Sequence, residues 1–425
     1  MDRRTFFATT AGTAAATLIK RTPAVGAAGA NDKIVIAAMG MGGQGTTLAS
    51  GFEGLEGVEV KSVFDVDKTR TAKAAEAVGK VNGREIAHGQ DFREILDDKD
   101  VDAMVIATCN HWHAPATLLG CAAGKHVYVE KPCSQNPREG ELMVAASRKY
   151  DKRVQQGTQR RSRPKVAEGL RRLHEGAIGR IYYAHCCYRS ARPSLGVGKQ
   201  VPVPEHLDYD LWQGPAPRRP YKDNLIHYNW HWHWHWGNGE LGNNGVHFVD
   251  IARAGLRVKY PEHVISSGGR WHWQGDDQET PDTQIATFKF PDGKAITWEA
   301  LSCNRGRRGK PEDEIWFYGD GGSAAFTGAG YTIYDPQQQE IERQHGEAGL
   351  TAHLENFVDA VRNGSELAAD IVKGHRSALL SHLGNIAYRT GRALVCDPKD
   401  GTIVNDEEAM AFWSRDYEPG WEPKV

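Results

Sequence analysis

The sequence predicts an α/β chain of two domains, a parallel sheet wrapped by helices and then a largely antiparallel sheet. Three observations carry that expectation. From residue 33 to about 135, short apolar runs alternate with helical segments. Beyond that stretch the chain turns β-rich, with alternating residues and Asp-Gly turn signals. A length of 425 residues also favours two cores over one.

The elements follow in order. "KIVIAAM" reads as a buried strand that leads through "GMGGQG" into the helix "TTLASGFEG". "VEVKSVFDVD" is a second strand, followed by the Ala- and Lys-rich helix "KTRTAKAAEAVGK". "VDAMVIAT" and "KHVYVEK" are further strands around the helix "APATLLGCAAG". Strand and helix in this alternation imply parallel pairing with right-handed crossovers. After the helix "PREGELMVAASRKYDK" come "RIYYAHCCYRS", "HVISSGGRWHWQG", "TQIATFKFPDG", "AITWEALSC" and "DEIWFYGDGGSAAFTG", all strand-like. On such a strand Cys186 and Cys187 point to opposite faces. Helices return in "LTAHLENFVDAVRNGSE" and "GHRSALLSHLGNIAYRTGR". The expected division is a leader over 1–30, a first domain over 31–155 and a second over 156–425.

Composition narrows the function classes. A net charge of -2 gives no electrostatic reason for nucleic acid or an anionic membrane as partner. No apolar run after the N-terminus approaches the roughly 20 residues that span a bilayer. Seven cysteines without a CxxC pair imply no disulfide framework. The first thirty residues carry Arg3-Arg4 before Thr5-Phe6-Phe7, a small-residue apolar stretch and a cleavage-like Ala28-Gly29-Ala30. That pattern resembles a twin-arginine export signal and gives a periplasmic expectation.

Gly40-Met41-Gly42-Gly43-Gln44-Gly45 matches GxGxxG between a strand and a helix, with Asp65 at the end of the next strand. The glycines permit a tight turn, close approach of backbone to a pyrophosphate and close helix packing. A carboxylate at Asp65 suits the ribose hydroxyls of NAD and repels a 2'-phosphate, so NAD is expected over NADP. Lys68 and Arg70 weaken that preference without reversing it.

The run "VDAMVIATCNHWHAPATLLGCAAGKHVYVEKP" resembles the fourth and fifth strands of the Gfo/Idh/MocA oxidoreductases, with Asn110, His113 and Glu130-Lys131-Pro132. The likeness continues through "GTQRRSRPKVAEGLRRLHEGAIGRI" and "LWQGPAPRRPY" to the C-terminal helices, and the leader fits the exported branch that includes glucose–fructose oxidoreductase. The resemblance implies a Rossmann domain, a C-terminal α/β domain with an open-faced mixed sheet, and a homo-oligomer, dimer or tetramer. It places Lys131 near the nicotinamide and the substrate hydroxyl, and Thr108, Asn110, His113 and Glu130 around the cofactor. The family's second signature appears as Gly237 to Asp250, with His247 as the expected general base. Asn243 stands where the family has an aspartate; an amide orients a hydroxyl but carries no charge. Lys131, His247 and Asn243 are therefore the catalytic candidates.

"NWHWHWHW", residues 229–236, leaves three readings open. Extended, it would set its Trp on one face and its His on the other. His-x-His can hold a metal, the aromatics can pack against the sheet or a second subunit, or the stretch can wall a sugar pocket. The last reading places Tyr228, Trp230, His231, Trp232 and His233 at the substrate, with Arg161 and no metal. Tyr228 is also a candidate substitute acid. The function this implies is NAD-dependent oxidation or reduction of a secondary hydroxyl of a sugar or glycoside, with tightly retained cofactor. Redox-neutral glycoside cleavage and non-catalytic sugar binding are the alternatives.

Overall fold

The computed structural model describes residues 33–306 and 314–425, so the expected export signal lies outside the described residues. Six parallel strands build the first sheet: β1 (Ile34–Met39), β2 (Val58–Phe64), β3 (Ala87–Gly89), β4 (Ala103–Ile106), β5 (His126–Val129) and β6 (Val154–Gln156). Their spatial order is β3-β2-β1-β4-β5-β6, with crossover helices α1 (Gly43–Glu53), α2 (Lys68–Asn82), α3 (Arg93–Asp97), α4 (Asn110–Ala122) and α5 (Pro137–Lys149). The order reverses between β1 and β4, and ligands of such sheets bind outside the carboxyl ends of the strands at that crevice.

The chain then passes through α6 (Pro164–His174) into β7 (Ile181–Arg189). A long segment over 190–236 follows, holding only the short α7 (Tyr209–Gln213) and a 3₁₀ turn (Asn229–Trp232). A π-helical turn (Leu241–Gly245) runs straight into α8 (Val246–Leu256). The second sheet takes β7 with β8 (His263–Gly269), β9 (Thr283–Phe290), β10 (Lys294–Leu301), β11 (Ile315–Gly319), β12 (Gly322–Phe326), β13 (Gly330–Tyr334), β14 (Glu340–His345) and β15 (Leu394–Val395). Its order is β14-β13-β12-β11-β7-β10-β9-β8-β15, antiparallel throughout except for the parallel β7–β10 pair. Helices α9 (Thr351–Asn363) and α10 (Ile371–Thr390) complete the described chain before β15.

One face of the second sheet carries the larger core, where Phe288, Trp298 and Phe317 pack against Phe248 of α8 and Leu383 of α10. The other face is open. Cys186 is buried and its neighbour Cys187 is not, as alternation along β7 requires. Tyr182, Ile265 and Ile285 remain exposed among the strands.

Helix α9 does not stay with the second sheet. Its Leu354, Phe357 and Val358 enter the core of the first, where Phe357 meets Phe52 of α1 and Tyr128 of β5 edge-on.

Residues 229–236 do not take the extended geometry that would set Trp and His on opposite faces. The 3₁₀ turn at Asn229–Trp232 breaks the period of two, and Trp230, Trp232 and Trp236 are buried. Segment 190–236 brings Leu207, Tyr209 and Trp212 to meet Trp230 and Trp236 in a separate aromatic core. Burying those indoles outweighs the local preference for a strand.

Candidate active site

The carboxyl ends of β1, β2, β4 and β5 open into a cleft of about 730 Å³. At its floor the turn after β1 admits no side chain in two places. Gly40 has φ +85°, and a Cβ there would stand 2.6 Å from the Ala107 carbonyl. A Cβ on Gly45 would fall 1.9 Å from the Gly40 oxygen, so α1 reaches the turn only because that residue is glycine. The first turn of α1 has no acidic side chain and its cap residue Gly42 offers none, which leaves its N–H groups for an anion.

Asp65 accepts the N–H of Met41 at 2.6 Å and of Asp67 at 3.0 Å. Burial pushes its carboxyl up, against the pull of those N–H donors and of Arg70. Each of its oxygens keeps a further lone pair for a ribose hydroxyl. A glycine cradle, an open helix N-terminus and a carboxylate in one cleft fit a dinucleotide. Met41 serves that fit through its backbone, because its side chain is in the core of the sheet. Gly42, Gly43, Gln44 and Gly45 line the cleft itself.

Glu130 follows β5 and is buried, accepting from Gln44 Nε2 at 3.0 Å and from the Lys131 N–H at 3.1 Å. Burial raises its pKa against the attraction of Lys131. Lys131 Nζ donates to the Asn243 carbonyl at 3.0 Å and to Asn243 Oδ1 at 3.2 Å. The amide oxygen thus takes the ammonium, as a carboxylate would, but without its charge. Burial draws the Lys131 pKa down while Glu130 and Glu240 hold it up.

Asn243 lies in the π-helical turn, a widening of the helix that is common at functional sites. The turn delivers His247 on the first turn of α8 to the same cleft. Burial and the positive Lys131 and Arg160 keep His247 neutral, well below its usual range. Its Nδ1 is sealed from water without a partner, so Nε2 is the nitrogen left to face the cleft. A neutral imidazole beside a hydrogen-bonded ammonium can accept a proton from a group that the ammonium polarises.

Thr108, Asn110 and His113 also line the cleft. Asn110 Oδ1 accepts from Asn238 at 3.4 Å. His113 has Nδ1 2.6 Å from the Pro132 carbonyl and Nε2 3.0 Å from the Thr108 carbonyl, and the neutral ring, with one N–H, donates to one of the two. It ties the end of β4 to the Lys131 turn, and burial pushes it down to about 4.

Of the Trp–His stretch, Tyr228, Trp230 and His231 reach the cleft wall. His231 stacks on Trp230 at 3.6 Å. Trp232 and His233 do not line the cleft. Trp232 is buried beneath the Arg192 guanidinium, 4.6 Å from its ring, and His233 Nδ1 faces Glu279 at 3.6 Å. Arg161 is likewise set apart, because the buried Asp250 carboxylate holds it at 2.6 and 2.9 Å. Among the described residues, no three of His, Cys, Asp or Glu converge as metal ligands, and no helix is long and apolar enough to cross a membrane.

Sequence reasoning passed over several groups. Gln159 lines the cleft, and His227 lines it while standing 2.9 Å from Asp67 Oδ2. Arg192 binds the buried Glu240 at 2.6 Å and donates to the Tyr228 hydroxyl at 2.8 Å. Gln159 lies in the family-like run "GTQRRSRP", which was the one available signal; Arg192 and His227 sit in irregular chain without a pattern.

Comparison with known proteins agrees with this architecture. Inositol 2-dehydrogenase 4 of Saccharopolyspora erythraea is 33% identical over 153 residues, covering 35% of this chain and 43% of that protein. Levoglucosan dehydrogenase of Pseudarthrobacter phenanthrenivorans is 27% identical over 287 residues, covering 63% of this chain and 64% of that protein. The matches thus span from under half to just under two thirds of these relatives. The solved levoglucosan dehydrogenase complex with NADH and levoglucosan superposes with a TM-score of 0.68 at 19% identity, over 85% of this chain and 99% of that one. Residues 34–158 match the NAD-binding Rossmann fold of the Gfo/Idh/MocA oxidoreductases, and residues 194–422 match that family's C-terminal alpha/beta domain. The chain belongs to the Gfo/Idh/MocA oxidoreductase family, and its first domain is an NAD-binding Rossmann fold.

Proposed function

We propose that this protein is an NAD-dependent oxidoreductase acting on a secondary hydroxyl of a sugar or glycoside. The observation that carries the reading is the convergence of Lys131, Asn243 and His247 on the cofactor cleft. The dehydrogenases of inositol and levoglucosan among its relatives support the substrate class. NAD supplies the acceptor for the hydride when bound, with its pyrophosphate at the start of α1 and a ribose at Asp65. Lys131 donates to the substrate hydroxyl and stabilises the developing alkoxide. His247 Nε2 receives the hydroxyl proton, and Asn243 keeps the ammonium aimed.

Cofactor retention and export form part of the same proposal. Segment 190–236 closes over the Asp65 end of the cleft: Lys68 N–H donates to the His206 carbonyl at 3.0 Å and Asp208 N–H to the Val66 carbonyl at 2.9 Å. Such a strap slows release. The Arg3-Arg4 leader supports passage to the periplasm after folding. The open face of the second sheet, with Tyr182, Ile265 and Ile285 exposed, supports a homo-oligomer.

The test is absorbance at the reduced-nicotinamide band across a panel of sugars and glycosides, with mass spectrometry of cofactor surviving gel filtration. Lys131→Met and His247→Gln are each expected to lower kcat/KM by about 10²–10⁴-fold. Aglycone release without net reduction of NAD would replace this reading by oxidation–elimination. Cofactor that leaves freely on gel filtration removes the retention claim alone.

A further inference from the structure

A second Trp-His-Trp, at Trp271, His272 and Trp273, lies in the loop between β8 and β9. Trp271 is 64% exposed and Trp273 36%, and His272 is exposed between them. Two large aromatic side chains offered to solvent within three residues are unusual in a loop built this firmly. The fully buried Asp282 carboxylate accepts the backbone N–H groups of Trp271, His272 and Trp273 at 3.2, 3.0 and 3.4 Å. Arg270 fastens the two ends of the loop through Asp276 and the Gln278 carbonyl. Asp276 in turn accepts from Ser194 Oγ at 2.7 Å and from the Leu195 N–H at 3.0 Å. The backbone is held while the rings stay open to solvent.

The rings are also oriented. Trp271 lies along Gly269, where a Cβ would stand 2.2 Å from its Nε1. Trp273 Nε1 donates to the Arg192 carbonyl at 3.0 Å, and His272 meets Trp273 edge-on at 4.7 Å. Arg192 is the bridge to the cleft, because its guanidinium donates to the hydroxyl of Tyr228, a half-exposed residue of the cleft wall. Trp273 is therefore one arginine side chain away from the mouth of the cleft. Preordered indole faces suit the C–H face of a pyranose ring and cost little ordering entropy on contact.

We infer that Trp271 and Trp273 form an outer subsite for a second sugar unit, joined to the ring that reacts in the cleft. The inference rests on the sugar reading of the cleft and goes beyond it by assigning the substrate as an extended saccharide.

The test compares wild type with Trp271→Ala/Trp273→Ala on a monosaccharide and on a disaccharide that contains it. The double variant is expected to lose about ten-fold in kcat/KM for the disaccharide, through KM, with the monosaccharide unchanged. Trp271→Phe, which keeps a stacking face, is expected to restore most of what Trp271→Ala loses. Equal loss on both substrates, or none on either, overturns the inference. A change in mass by light scattering also overturns it, by assigning the patch to a second copy of the chain. Should the wild type turn over no saccharide, the cleft reading fails, and calorimetry with the disaccharide then decides the subsite alone: binding lost in the double variant upholds it, and no binding to wild type overturns it.

Discussion

Trp-His-Trp begins at Trp230 and again at Trp271, and the fold uses the two in opposite ways. In the first segment Trp230, Trp232 and Trp236 are 7%, 3% and 2% exposed, while Trp271 in the second is 64% exposed. Segment 190–236 brings Trp212 within 4.7 Å of Trp236 and gives the His235 ring the Pro217 carbonyl at 2.8 Å. The second segment is held by the Asp282 carboxylate of its own loop, by the Arg192 carbonyl and against Gly269 at the end of β8. The motif does not decide between core and platform; what decides is whether a second apolar segment arrives to cover it.

The sharpest way to break the comparison is to truncate one indole from each. Trp236→Ala empties a buried site and is expected to cost about 3–5 kcal/mol, read by chemical denaturation. Nearly as large is Arg192→Met, which strands the buried Glu240 carboxylate without its partner. A loss of about 3–5 kcal/mol is expected there, and adding Glu240→Gln should recover much of it.

A smaller effect separates the segments by pH. Burial pushes His231 down to about 3 and His235 to about 4, so both are neutral when folded. Unfolded, each protonates below the ordinary 6.5. Their contribution is whole above pH 6.5 and is lost as pH falls toward 4, so Tm should decline across that window. Replacing both by Asn should flatten the decline; an unchanged slope would put their burial in doubt. The smallest effect belongs to Trp271→Ala, expected within about 0.5 kcal/mol of wild type. A loss as large as that of Trp236→Ala would erase the distinction between the segments.

Much of the cleft was legible because its chemistry depends on spacing along the chain. A strand, a glycine turn and a helix start have to be contiguous, so Gly40, Gly45 and Asp65 announce themselves, and the family-like runs mark Lys131 and His247. Residues whose roles are set by distant partners were harder to read. Alternation suggested a strand for 229–236, and the aromatic core formed with 207–216 overrode it, which removed Trp232 and His233 from the cleft. Arg161 looked available until Asp250, far along the chain, claimed it. The largely antiparallel second sheet was visible in its alternating strands and its open face in the family resemblance, whereas the β7–β10 pairing was not, since no local signal marks pairing across so long an excursion.

The placement of α9 also bears on how the chain is made. Arg362 of that helix donates to the Gly57 carbonyl, 305 residues earlier, beside the point where Phe357 seals Phe52. A ribosome must therefore deliver every strand of the second sheet but the last, β15, before the nucleotide domain can close its own core. Until then Phe52 and Tyr128 lack their cover, and a chain cut short before α9 should behave as a client of chaperones. The first domain of this protein cannot finish folding until most of the second has been made.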